Sequence, residues 1–316
     1  MTTAAMTSRA ATAPRVLFLD DEERILKTMK ALFRSKYDVV TATDGQTALE
    51  YLKRDRVHLV VSDQRMPGMT GVEFLRKAKD VSPNTMRILL TGYSDLTAIV
   101  DSINDGEVFR FINKPWDNQE IQKVVGEAVD IGLKLDGTPP TAAPTDVQAI
   151  PKIDEAMLVI SPHRPLYEDV RAVAKDACEI VRVHSLQAAV EALKIKAFAV
   201  VIAEANPGAE DIYLFLGLLK QKYPQVVTLL VTLTGDAETA ISLINRAQLF
   251  RFLVPPISSE TLRSNIGAAL RHAVSVRTAP AMLARYAVEE VQEEKHSSLM
   301  GWLFEGLRSL PTRLGR

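Results

Sequence analysis

The sequence has a single cysteine in 316 residues, Cys178. One thiol excludes an internal disulfide and fits a reducing compartment. Cys178 reads as a small packing residue, with a reactive thiol as the alternative. No apolar run approaches the length that spans a bilayer. The opening residues, MTTAAMTSRAATAPR, lack the apolar stretch of a secretory signal, so they read as a disordered lead-in and a cytoplasmic location is the default expectation. Net charge is nearly absent as well. A formal value of -1 gives no global attraction to nucleic acid or acidic lipid. The 5 histidines are scattered without metal-ligand spacing, which argues against zinc. No Walker-type loop, helix-turn-helix or zinc finger is visible, so no direct nucleic-acid binding is expected.

What is present is the composition of a soluble globular protein, 47% hydrophobic and 24% charged, in a chain long enough for two ordinary domains. The strongest internal signal is a repeat. Shifting the sequence by 141 positions brings Phe109-Arg110-Phe111 onto Phe250-Arg251-Phe252 and Ile103-Asn104 onto Ile244-Asn245. Ala48, Glu50, Leu52 and Lys53 meet Ala189, Glu191, Leu193 and Lys194 under the same shift. Between the copies lies DGTPPTAAPTDVQAIP, whose Pro, Ala and Thr content cannot build a core. The division expected is a tail over 1–14, a first domain over 15–135, a linker over 136–154, a second domain over 155–277 and a helical extension over 278–316.

Each copy alternates short apolar runs with helical patterns. RVLFLD, DVVTAT, HLVVSD, RILLTG and FRFINK read as strands of the first copy, and MLVI, FAVVIA, VVTLLVT and FRFLV persist in the second. Five strand–helix units with continuously apolar strands predict an α/β fold: a doubly wound, flavodoxin-like parallel sheet in each copy. Ligands of such sheets bind where strands end. Those ends carry Asp20 and Asp21, Asp63, Thr91 and Lys114 in the first copy. Three converging carboxylates call for a cation, and hard oxygen donors suit Mg²⁺. A lysine and a hydroxyl remain to hold an anion. Together they make a device for accepting a phosphoryl group, with Asp63 as carboxylate nucleophile.

This set resembles the receiver domain of two-component response regulators, and each copy is similar to it over its whole length. The matching pieces are the acidic pair, DQRMPGMTG, the threonine and the Lys-Pro, in order. LLTGYSDLTAIVDSIN and FRFINKPW further resemble receivers of hydrogenase-type and cyclic-di-GMP-phosphodiesterase-type regulators. The resemblance implies that Asp63 accepts phosphate, that Asp20, Asp21, Asp63 and the backbone carbonyl of Arg65 bind Mg²⁺, and that Thr91 and Lys114 contact the phosphoryl oxygens. It also implies that Phe111 is a switch aromatic, with ordinary core packing as the alternative. Arg65 and Tyr93 flank the route of water to an acyl phosphate and point to a long-lived phosphorylated form, unless they are simply solvated.

In the second copy the same shift turns Asp20 into Ser161, Asp21 into Pro162, Asp63 into Glu204 and Lys114 into Pro255, while Thr91 survives as Thr232. The following loop is one residue shorter, so Ala203 is the alternative occupant of the Asp63 position. Without acid pair or lysine, neither Mg²⁺ nor phosphate has a reason to bind. This copy therefore resembles a degenerate pseudo-receiver, a protein-binding or dimerisation surface, with Glu204 either a solvated strand-end residue or an imitation of a phosphorylated acceptor. AMLARYAVEEVQEEKH reads as a helix beyond it. LMGWLFEGLRSL then offers an amphipathic helix that folds back on the second copy, docks on a partner or lies on a membrane, with Ser297-Ser298 as its cap.

The reading is a tandem-receiver response regulator that takes phosphate from a sensor histidine kinase or phosphotransfer protein. It signals to a downstream protein target and catalyses only its own phosphorylation and dephosphorylation. A homodimer is allowed for. A non-switching scaffold and a phosphate sink are the alternatives, and a DNA-binding regulator is more distant, since no GGDEF, EAL, HD-GYP or other output signature appears.

Overall fold

The computed structural model describes residues 13–92, 108–136, 150–206, 210–232, 245, 247–278, 283 and 298–308. The lead-in tail, most of the linker, Tyr93 and the helix expected over 281–296 fall outside these residues almost entirely.

The first sheet is built from β1 (Arg15–Leu19), β2 (Asp38–Ala42), β3 (Leu59–Asp63), β4 (Met86–Thr91) and β5 (Arg110–Asn113). Its order is β2-β1-β3-β4-β5, all parallel. The strands are apolar at successive positions because both faces are covered. Along β1, Val16 and Phe18 turn to a core that includes α1 (Glu23–Phe33) and α4 (Asn118–Lys134), while Leu17 and Leu19 turn to α2 (Gly45–Arg54) and α3 (Gly71–Val81).

The second sheet uses β6 (Ala156–Ile160), β7 (Ile180–Val183), β8 (Phe198–Ala205), β9 (Val227–Thr232) and β10 (Arg251–Leu253), in the order β10-β9-β8-β6-β7. Read from the other edge, this is the same order. Strand register repeats under the shift too. Leu19 pairs with Ser62 as Ile160 pairs with Ala203, and Asp63 pairs with Leu90 as Glu204 pairs with Val231. Glu204 rather than Ala203 thus occupies the position of Asp63.

Helix starts repeat as well. Asp44 accepts the amide of Thr47 at the start of α2, and Ser185 accepts that of Ala188 at the start of α6 (Leu186–Ile195). Asp117 caps α4, and Ser258 accepts the amide of Thr261 in α8 (Ser259–Thr278). The remaining helices of the second half are α5 (Arg164–Ala174) and α7 (Glu210–Lys222). Ile150 and Ile153 pack against the second core, so the end of the linker is drawn onto it. Burial pushes the Cys178 thiol up in pKa, which keeps it protonated.

The C-terminal helix α9 (Ser298–Arg308) lies on α6 and α7 of the second half. Leu307 is 2% exposed, Trp302 packs on the adjoining core, and Lys222 Nζ donates to the carbonyl of Arg308 at 3.2 Å. Of the three placements open to this helix in the sequence, the structure has the fold-back. Of the expected Ser297-Ser298 cap, Ser298 is part of this helix and Ser297 lies outside the described residues. No helix among the described residues is long and apolar enough to cross a membrane.

Candidate functional site

The carboxyl ends of β1, β3, β4 and β5 converge as a parallel sheet requires. Asp20 follows β1 and is 2% exposed, Asp63 closes β3 and is 6% exposed, and Asp21 is open to solvent. Ligand atoms of these three residues all lie within 4.8 Å of one another. Lys114, just past β5, places Nζ 2.7 Å from Asp63 Oδ1 and 3.0 Å from Asp20 Oδ2. Thr91 ends β4 with its hydroxyl buried, directed at the carbonyl of Gly92 at 3.3 Å.

Main-chain groups fix these side chains. The amide of Glu22 donates to Asp20 Oδ1 at 2.9 Å, and that of Arg65 donates to Asp63 Oδ2 at 3.1 Å. Buried Gln64 ties down the loop after Asp63. Its carbonyl accepts from Gly71 N at 3.0 Å, and its side chain accepts from Val72 N at 3.1 Å. Gly71 has to be a glycine, because a Cβ there would stand 2.2 Å from the Asp63 carbonyl oxygen. The amide of Lys114 donates to the carbonyl of Thr91 at 2.9 Å, so the lysine and the threonine are held on one main-chain link.

The electrostatics follow from burial and charge. Burial raises the Asp20 carboxyl pKa, against the opposing pull of the Glu22 amide and Lys114. Burial alone would lower Lys114, but hydrogen bonds to Asp63 and Asp20 outweigh it, and its pKa is raised. The lysine therefore carries a fixed positive charge at neutral pH, flanked by carboxylates. An all-oxygen donor set of this kind fits a hard divalent cation, with Lys114 left to face an anion.

Ser161, Pro162, Glu204, Thr232 and Pro255 take the corresponding places in the second half, with different chemistry. The Ser161 hydroxyl bonds the Glu204 carboxylate and accepts the amide of His163 at 3.1 Å. Arg182, on β7, donates to the carbonyls of Ser161 and Pro162 at 3.2 and 3.1 Å. A guanidinium thus stands against the two residues that replace the acid pair, where a divalent cation would be repelled. Arg182 escaped the sequence reading because its counterpart in the first half is Thr41, which carries no charge. Pro255 supplies no ammonium.

Phe111 is 2% exposed on β5, in an apolar cluster that also holds Ala247, Leu249 and Phe252 of the second half. Arg65 is exposed, and Tyr93 is outside the described residues.

Residues 16–126 match the response regulator receiver domain family. The chain is 30% identical over 116 residues to hydrogenase transcriptional regulatory protein HoxA of Bradyrhizobium diazoefficiens, covering 37% of this chain and 24% of that protein. To HoxA of Cupriavidus necator it is 34% identical over 122 residues, covering 38% and 25%. It therefore spans about a quarter of the length of these relatives. Sporulation initiation phosphotransferase F of Bacillus subtilis is 32% identical over 112 residues, 35% of this chain and 90% of that protein. Among solved structures, the signal receiver domain of an HD domain-containing protein from Pseudomonas fluorescens Pf-5 is 32% identical, with a TM-score of 0.40, covering 43% of this chain and 100% of that one.

Proposed function

The chain belongs to the response regulator receiver family through residues 16–126, and from that premise we propose that it is a phosphorylation-controlled signalling protein whose acceptor is Asp63. The observation that carries this reading is the Asp20, Asp21, Asp63 cluster with Lys114 bonded across it. A Mg²⁺ ion held by the three aspartates and the Arg65 carbonyl would neutralise charge on the transferring oxygens.

The chain's own part in the chemistry is orientation. The Arg65 amide holds one oxygen of Asp63, and Lys114 holds the other. An Asp63 oxygen forms a bond to phosphorus as the P–N bond to a donor imidazole breaks. The electron pair of that bond leaves with the imidazole. Lys114 then transfers its hydrogen bond from the carboxylate to a phosphoryl oxygen, and the Thr91 hydroxyl at the end of β4 is a second donor. Sensor histidine kinases and phosphotransfer proteins are the donors that fit. The chain catalyses only its own modification.

In this reading the second half is a pseudo-receiver. Arg182 and the Ser161–Glu204 pair support that assignment, because a hydroxyl takes the place of Asp20 and a side-chain cation bonds the main chain of the two residues that replace the acid pair. The signal leaves by protein contact with a downstream target. Two relatives are transcriptional regulators by name, but the likeness spans about a quarter of each, so DNA binding remains the competing output.

Beryllofluoride adds to an acceptor carboxylate as a phosphoryl group does. With Mg²⁺ it is expected to raise the Tm of the first half in the wild type and to leave Asp63→Ala unchanged, because a ligand that binds only the folded site stabilises it by mass action. Equal shifts in the two proteins would place the anion elsewhere.

A further inference from the structure

Among the described residues β5 has a strand neighbour on one side only. Such an edge presents main-chain groups that pair readily with another chain. Here those of Phe111, together with the carbonyl of Phe109 just before the strand, are occupied by the second half. Asn245 Oδ1 accepts from the amide of Phe111 at 3.0 Å, and Asn245 Nδ2 donates to the carbonyl of the same residue at 2.9 Å. Gln248 Nε2 donates to the carbonyl of Phe109 at 2.8 Å. Gln248 is 8% exposed and takes a left-handed φ of 46°, a conformation that costs a non-glycine residue energy and turns the chain at this contact. A primary amide matches a peptide group donor for acceptor, so Asn245 closes the edge as an added strand would.

The strand held in this way is also the one that carries the lysine. Phe111 and Lys114 are three residues apart, about 10 Å along an extended chain. The Lys114 amide bonds the Thr91 carbonyl, and its ammonium bonds Asp63 and Asp20. A displacement of β5 at Phe111 is therefore felt at Thr91 and Lys114 together.

We propose that the second half is a resident effector of the first: Asn245 and Gln248 grip the open edge of β5, and this grip and the chemical state of Asp63 are linked through that strand. The inference rests on the acceptor reading of Asp63. Asn245 is a positioning residue, remote from the reacting atoms. Linkage is reciprocal, so whatever docking does to the acceptor site, occupation of that site does to docking.

The test uses the full chain and compares wild type with Asn245→Ala, Asn245→Asp and Gln248→Ala. Aspartate keeps the size of asparagine and the acceptor for the Phe111 amide, but it sets a carboxylate oxygen against the Phe111 carbonyl. If the grip is the hydrogen-bond pair, N245D disrupts more than N245A. If Asn245 only fills space, the near-isosteric aspartate is the milder change. Amide exchange at Phe111 is expected to quicken at least about tenfold in N245D, with a smaller effect in N245A. The rate of Mg²⁺-dependent labelling by acetyl phosphate is expected to move by about threefold or more in the same order. An unchanged labelling rate, with Phe111 exchange accelerated, overturns the linkage while the acceptor reading stands. Milder effects in N245D than in N245A overturn the grip. No label on wild type removes the acceptor reading and the linkage with it.

Discussion

Asp63 and Glu204 sit at one register position, opposite Leu90 and Val231, yet their neighbours give them different surroundings. Asp63 faces an ammonium and two further carboxylates, whereas Glu204 faces a hydroxyl beside a guanidinium. The first arrangement was legible in the sequence because every member ends a strand and is charged or hydroxylated. Arg182 was not, because its partners are main-chain carbonyls, which leave no trace in a sequence. Lys220 is a further residue that composition hides. It is buried on α7 and donates to the carbonyl of Val226 at 2.9 Å, and burial lowers its pKa to about 7. The unfolded lysine binds a proton up to its ordinary value of 10.5, so between the two values the unfolded state holds more protons. Stability of the second half is therefore expected to rise with pH, by about 2 kcal/mol from pH 7 to pH 9. Urea titrations at the two pH values would show this slope in wild type and its loss in Lys220→Met. A flat profile in wild type would mean that the ammonium stays charged where it is.

At the scale of elements, the strands were readable because parallel sheets bury both faces and leave uninterrupted apolar runs, from Val16 to Leu19 and from Met157 to Ile160. Caps were less visible. Asp44 and Ser185 differ in identity but do one job at one register position. The placement of α9 was beyond the sequence, since an apolar stripe says that a helix is covered without saying by what. Gly306 shows the fit, because a Cβ there would come within 3.0 Å of Val190 Cγ1 on α6. A tight joint between elements is at Gly71, where α3 starts against the main chain of Asp63. Gly71→Ala is expected to cost about 2 kcal/mol in denaturant titration, as overpacking does. It should also slow labelling of Asp63, because the group it pushes on is that residue's own carbonyl. An unperturbed variant would mean that α3 shifts freely, against the ties from Gln64 to Gly71 and Val72.

At the scale of the whole molecule, one sheet order occurs twice, and in the function proposed above the halves divide the labour. The repeat itself was legible from Phe109-Arg110-Phe111 and its echo 141 positions later. The way the halves meet was not, because Asn245 and Gln248 look like ordinary polar residues until their partners on β5 are seen. All of this depends on one claim, that the first half is a live acceptor and the second is not. Intact mass after incubation with acetyl phosphate, with and without Mg²⁺, in wild type and Asp63→Ala, tests it most directly. The expected result is one phosphoryl group on wild type, dependent on Mg²⁺ and absent from Asp63→Ala. Label that persists in Asp63→Ala, or a wild type that takes none from acetyl phosphate or from a kinase, would contradict it.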